Sequence, residues 1–271
     1  MIHVKWTGAA GLELTYKGQS LLIDPYYTRS GKWDVFFKRV TPDAFLIKTV
    51  AERSGRIAAI VVSHTHFDHA LDIPEFIKYT QGPLIGSASL ETLMDSGGIA
   101  HRVSVCEGGE TVEIADDIHI TMLPSTHGLV AFGRVPFQGE IKTPEQWPMK
   151  ASEYRVGQVF SPKITIGETV FLHVGSAGFN ETALLGHPCD VLFLCVPGWK
   201  KTSGYPEKII ELTRPKTVVL FHYDNFFMPI QKKGPIKSFP FLDIAGLKKR
   251  IHACDPNITI LAPDLFKTMV F

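Results

Sequence analysis

Three imidazoles and one carboxylate stand within the six residues His64-Thr65-His66-Phe67-Asp68-His69. Imidazole nitrogen and carboxylate oxygen are the donors that zinc takes in catalytic sites, so the chemistry open to this cluster is that of a bound metal ion. His64 and His66 lie two residues apart; in an extended segment both side chains leave on the same side and can converge on one ion. Asp68 and His69 are adjacent, point differently, and suit a second ion beside the first. Packing these groups together without a metal would be costly, because several imidazoles would compete for few partners and would repel one another once charged. A polar loop with chance histidines is the bland alternative; it would win for one His, and it loses for this spacing.

Such side chains need a rigid platform. Ile57, Ile60, Val61 and Val62 form a short apolar run bounded by polar residues, which reads as a buried strand ending at Ser63. Loops at strand ends commonly carry catalytic groups. The string HTHFDH resembles the H-x-H-x-D-H signature of the metallo-β-lactamase superfamily, a large group of mostly hydrolytic metalloenzymes.

The resemblance implies further ligands. A lone His after a strand is matched by His127 in ITMLPSTHG, and a His after a late strand by His222 in VVLFHYDNF. Between them the family usually has a metal-bridging Asp after a Gly; the matching segment FLHVGSAGF holds Ser176. The implied set is His64, His66 and His127 for one ion and Asp68, His69 and His222 for the other, with Ser176 as a contact to a metal-held water. One subclass of true metallo-β-lactamases is similar in using these ligand types without a bridging Asp. The implied cofactor is Zn2+, as one or two ions joined by hydroxide alone and the second more weakly held, with Mn2+ or Fe2+ as alternatives.

The N-terminal stretches IHVKWTG and GLELTYKGQSLLIDP read as strands joined by turns. They are similar to the superfamily's N-terminal hairpin, particularly in the ascorbate-6-phosphate lactonase-like branch, although the first turn here reads Gly8-Ala9-Ala10-Gly11 where many members carry a His. Asp24 closes LLIDPYY. In the family this Asp often orients a metal-bound His, and it reads equally well as a turn Asp before Pro25.

The 271 residues suit one α/β domain spanning 1–271, and 45% hydrophobic residues suffice for a sizeable core. A net charge of +1 without a basic run argues against a nucleic-acid partner. The N-terminus lacks the pattern of a secretory signal, and no apolar run approaches the roughly 20 residues a membrane helix needs, so the expectation is a soluble, cytoplasmic protein with a small-molecule substrate, no membrane association and room for a homo-oligomer. Cys106, Cys189, Cys195 and Cys254 form no C-x-x-C pair and read as structural thiols.

Residues 29–56 read as a helix or loop, with Trp33, Phe36 and Phe37 assigned to core packing ahead of the alternative of lining the pocket mouth. ALDIPEFIKYT opens a helix with Pro74 in its first turn, and Gly97-Gly98 ends the next one. A strand is expected from about His101. Residues 129–157 are too polar and interrupted for a core element; they read as a long loop over the site, with Lys142, Lys150 and Arg155 as candidates for an anionic group. His119, His187, His252 and His3 read as structural or solvated; His173, two residues before Gly175, reads as a core or strand residue, with support of a metal ligand from behind as the alternative.

Two runs of strands, each with helices and each carrying ligands at strand ends, fit an α/β four-layer αβ/βα sandwich, the metallo-β-lactamase fold. The mechanism that follows is hydrolysis: a metal-held water is acidified toward neutrality and attacks as hydroxide, while Asp68 orients it and shuttles the proton. The bond cleaved is an ester, lactone, amide or phosphodiester. Two rivals stand beside this. The superfamily's flavin-linked di-iron oxygen reductases carry Glu where this chain has His66, which favours hydrolysis here. A non-catalytic metal-binding sensor or scaffold is compatible with Ser176, and six other retained ligands argue against it.

Overall fold

Apolar, β-branched runs of five to seven residues dominate the strands, and the computed structural model arranges them in two seven-stranded sheets. The structure describes residues 1–96, 98, 102–143, 146–230 and 236–271; the expected helix end at Gly97 and strand start at His101 lie outside these.

The first sheet contains β1 (His3–Gly8), β2 (Gly11–Tyr16), β3 (Gln19–Ile23), β4 (Arg56–Val61), β5 (Leu84–Gly86) and β6 (Val103–Val105), with the closing strand β14 (Thr268–Val270) beside β1. The second contains, in spatial order, β7 (Thr111–Ala115), β8 (Ile118–Pro124), β9 (Phe160–Ile166), β10 (Thr169–Val174), β11 (Val191–Cys195), β12 (Thr217–Phe221) and β13 (Thr259–Leu261). Each sheet starts with antiparallel hairpins and changes to parallel pairing, from β3 onward in one and from β10 onward in the other. Most of the parallel pairs are joined by helical crossovers, as parallel neighbours require.

The first sheet's helices are α1 (Lys32–Phe37), α2 (Ala44–Ser54), α3 (Phe67–Ala70), α4 (Ile73–Phe76) and α5 (Ala88–Asp95); the second sheet's are α6 (Glu181–Leu184), α7 (Glu207–Thr213) and α8 (Ile244–Cys254). Asp43 and Asp243 cap α2 and α8, accepting the Leu46 and Gly246 N–H groups at 2.9 and 2.8 Å.

Alternation along the strands divides the core. On β3, Leu21 and Ile23 face the core between the sheets, with Trp6, Met122, Phe160 and Phe221, while Leu22 faces α2, α4 and α5 with Ile47, Phe76 and Leu90. Helices, sheet, sheet and helices make the four-layer sandwich. The Asp24 N–H extends the β3–β4 pairing by donating to Val61 O at 2.9 Å, and the two sheets are stitched just past the end of β4, where the Phe160 N–H of β9 donates to Ser63 O at 2.8 Å.

Three expectations change. Asp68 and His69 stand on a one-turn helix, α3, and the chain after it breaks into α4 and a 3-10 turn at Ile77–Tyr79. Trp33, Phe36 and Phe37 are exposed rather than core, because α1 buries only Val35. The 129–157 segment is not merely a cover: Ile141, Met149, Ala151 and Tyr154 are buried in the core beneath the first sheet, and Val40 N–H donates to Met149 O at 2.9 Å. Scattered apolar residues in an irregular segment carry no periodicity by which burial can be read.

Candidate metal centre

His64, His66 and His127 come together in one group, and Asp68, His69 and His222 in a second; within each group, one donor atom per residue lies within 4.8 Å of the others. The groups adjoin, with the His64 and His69 ring centroids 3.7 Å apart. His64 and His66 sit on the extended segment after β4, His127 follows β8, and His222 directly follows β12. The chain bends sharply at the ends of β12 and β3: His222 has φ 64° and Asp24 has φ 44°. Left-handed backbone is uncommon for a non-glycine residue, and here it turns each side chain back toward the same edge.

The proton on each imidazole is set by what lies behind it. The Pro136 and Gly128 carbonyls can only accept, so His66 donates from Nε2 at 2.9 Å and His127 from Nδ1 at 2.7 Å. Asp24, fully buried, accepts the Ser63 N–H at 2.7 Å on one oxygen. On the other it accepts the Ser63 hydroxyl at 2.5 Å and His69 Nδ1 at 2.8 Å. Because the Ser63 hydroxyl donates to Asp24, its oxygen accepts from His64 Nδ1 at 3.2 Å. One carboxylate therefore fixes two imidazoles, leaving the Nε2 lone pairs of His64 and His69 free.

In consequence, His64 Nε2 and His66 Nδ1 face each other at 3.2 Å, lone pair toward lone pair. Two nitrogens bonded to one tetrahedral zinc ion at about 2.05 Å stand about 3.3 Å apart, so this pair fits one ion between them. In the other group, Asp68 Oδ2 lies 3.5 Å from His222 Nε2 and 3.7 Å from His69 Nε2. His222 Nδ1 is buried without a hydrogen-bond partner among the described residues. Nitrogen and carboxylate donors at these spacings match zinc's preferences.

The electrostatics favour a cation. Burial, reinforced by neighbouring imidazoles, holds His64 far below its ordinary pKa and lowers His66 to about 3. Burial likewise lowers His127 to about 4, so all three are neutral, the form that ligates, at pH 7. Burial opposes charge on Asp68 and Asp24 as well, yet the imidazoles around them more than offset it and both carboxyls stay below their usual range. His69 is raised: burial works against its charge, and the Asp24 and Asp68 carboxylates outweigh it.

Ser176 is buried, and its hydroxyl accepts the Gly128 N–H at 3.0 Å, bracing the turn that carries His127. Lys142, Lys150 and Arg155 are exposed, and Arg155 donates to Gln138 O at 3.3 Å. Three contributors escaped the sequence reading. Ser63 links Asp24 to His64, and its place immediately before His64 was the available signal. Pro136 orients His66 from 70 positions away, with no local signal. Buried Arg29 pairs with Asp224 at 2.7 Å, and Asp224 also accepts the Ala9 N–H at 2.9 Å, clamping the loop after His222 to the first hairpin turn.

A two-sheet sandwich with an HxHxDH loop at its edge defines a metallo-β-lactamase superfamily protein. A family model described as the beta-lactamase superfamily domain matches residues 20–223, and the chain belongs to that family. Among curated proteins it is similar to a UPF0173 metal-dependent hydrolase of Pyrobaculum aerophilum, 28% identical over 86% of this chain and 88% of the relative. It is also similar to one of Staphylococcus aureus, 25% identical over 86% and 90% of the two chains. Among solved structures it shares its fold with a metallo hydrolase from Ignicoccus hospitalis, at TM-score 0.64 and 16% identity over 100% and 98% of the two chains. The enzyme class that goes with this membership is that of a metal-dependent hydrolase. No helix among the described residues is long and apolar enough to cross a membrane.

Proposed function

We propose that the chain is a zinc-dependent hydrolase that cleaves an ester, lactone, amide or phosphodiester of a small molecule. His64, His66 and His127 hold one ion; Asp68, His69 and His222 hold the other. The observation that carries this reading is the 3.2 Å approach of the His64 Nε2 and His66 Nδ1 lone pairs, each imposed by an acceptor behind its ring. Bound zinc supplies an acidified water and a Lewis acid for the oxygen of the scissile group.

The rest is the work of the chain. Asp24 keeps His69 and, through Ser63, His64 in their ligating tautomers. Asp68 is the catalytic carboxylate: ionised and set between His69 and His222, it orients the attacking water and carries its proton to the leaving group. Ser176 holds the His127 turn through Gly128, and its second proposed role is a contact to a water of the site. The Pro136 carbonyl holds the His66 ring in its ligating tautomer.

Elemental analysis of protein prepared without chelator tests this. Near two zinc ions per chain, falling toward one in His222→Ala, is the expected result. No bound transition metal after reconstitution overturns the reading.

A further inference from the structure

One aromatic ring stands against a member of each group of candidate ligands. Phe137 meets His66 edge-to-face at a centroid distance of 6.3 Å, and Phe226 meets His222 at 5.5 Å. Phe226 is half-buried and backed by Phe227 at 4.7 Å, Phe239 at 5.0 Å, Phe67 at 6.1 Å and Tyr26 at 6.5 Å, which fixes its ring. Phe137, also half-buried, has φ 43°. A bulky residue in left-handed backbone is strained, and such strain persists where the surroundings over-determine it, often at ligand sites. Here the Val156 N–H holds the Phe137 carbonyl at 2.9 Å, and the preceding Pro136 carbonyl is bound by His66. Among the described residues no lysine or arginine stacks on Phe137 or Phe226 itself; the rings behind Phe226 that carry a cation are Phe227, with the exposed Lys32 at 6.0 Å, and Tyr26, with Arg29 at 5.4 Å. Arg29 is already paired with Asp224.

We propose that Phe137 and Phe226 are the walls of a substrate subsite, and that the substrate is uncharged beside the scissile bond: an ester, lactone or amide whose carbonyl bears an aromatic or comparably flat apolar group, not a phosphorylated or carboxylated compound. Rings meet a flat apolar group by stacking or edge contact and gain from its desolvation. The inference rests on the metal-hydrolase reading, since the two rings line a substrate only if the residues they stand against, His66 and His222, belong to a catalytic metal centre.

Calorimetric titration of the zinc-loaded protein with three hydroxamates separates the two ideas. Acetohydroxamate reports the metal alone, benzohydroxamate adds the ring, and 4-carboxybenzohydroxamate adds a charge. Benzohydroxamate is expected to bind roughly tenfold or more tighter than acetohydroxamate. That ratio falls by about threefold to tenfold in Phe226→Leu, which keeps apolar volume, and in Phe137→Ala. Phe45→Ser, an exposed ring on α2, leaves it unchanged. Melting curves confirm folding, and Phe137→Ala, on an irregular segment, carries the test if Phe226→Leu does not fold. Equal affinity for the first two compounds, a ratio insensitive to both variants, or tightest binding of the carboxylated compound overturns the subsite while leaving the metal centre intact. Failure of every hydroxamate to bind overturns the metal-hydrolase reading and the subsite with it.

Discussion

Replacing Asp24 by Asn keeps the shape of the side chain while turning one acceptor oxygen into an NH2 donor and removing a buried negative charge, which makes it the sharpest test of how this centre is held. The carboxylate accepts three hydrogen bonds, from the Ser63 N–H at 2.7 Å, the Ser63 hydroxyl at 2.5 Å and His69 Nδ1 at 2.8 Å. Asn is isosteric and tolerates the φ of 44° at this position, so the backbone is not the variable. Its amide oxygen can still take the Ser63 N–H, but its NH2 group then faces His69 Nδ1 and the Ser63 hydroxyl. His69 must move its proton to Nε2, the atom that faces Asp68. Loss of the partner behind a metal-bound His costs about 10- to 100-fold in affinity, or about 1.4 to 2.8 kcal/mol. The loss should fall mainly on the Asp68, His69 and His222 ion. The His64, His66 and His127 ion feels Asp24 only through Ser63, and Ser63→Ala should weaken it preferentially. Competition titrations of zinc against a chromophoric chelator, read as two stepwise constants, give both numbers. Two wild-type constants in Asp24→Asn would refute the tautomer argument.

Other consequences follow from buried charge. Stripping zinc with a chelator should destabilise the fold, and zinc restored at about 100 times its dissociation constant should return about 2.7 kcal/mol, or roughly 5–10 °C in Tm, in a thermal-shift assay. Asp224→Ala leaves the Arg29 guanidinium, 3% exposed, without its counter-charge and should cost about 3–5 kcal/mol in urea unfolding, with weaker zinc binding because the loop after His222 loses its clamp. Burial outweighs the hydrogen bonds from Thr28 and Tyr27 and pushes the Asp72 carboxyl up from 3.8 to about 6. The folded state then keeps a proton that the unfolded chain has released, so stability falls as pH rises from about 4 to about 6, by about 3 kcal/mol. Asp72→Asn should remove that part of the slope; an unchanged difference in unfolding free energy between pH 4 and 7 would count against it.

The sequence alone determined the chemistry and the outline of the fold, because both are written at short range. HTHFDH presents its donors at spacings that local geometry converts directly into direction: two residues apart on extended chain for His64 and His66, and adjacent, hence differently directed, for Asp68 and His69; the helical turn under the second pair came only with the structure. The strands were legible for the same reason, since burial on one or both faces imposes a period that survives in a single segment. His127 and His222 were reached only through family resemblance, because a lone His at a strand end looks like any other. Tertiary structure decided the rest. Whether Asp24 was a turn residue or a positioning one depended on which ring lay behind it, and that ring belongs to His69, 45 residues away. The 129–157 segment reads as solvent-facing cover, yet it sends Met149 and Tyr154 into the core and brings the Pro136 carbonyl and the Phe137 ring to His66. Asp224 joins the loop after the candidate ligand His222 to Arg29, 195 positions away, and to the first hairpin turn at Ala9, 215 positions away. None of these contacts has a period or a local motif; each exists because two sheets pack face to face and their loops meet at one edge.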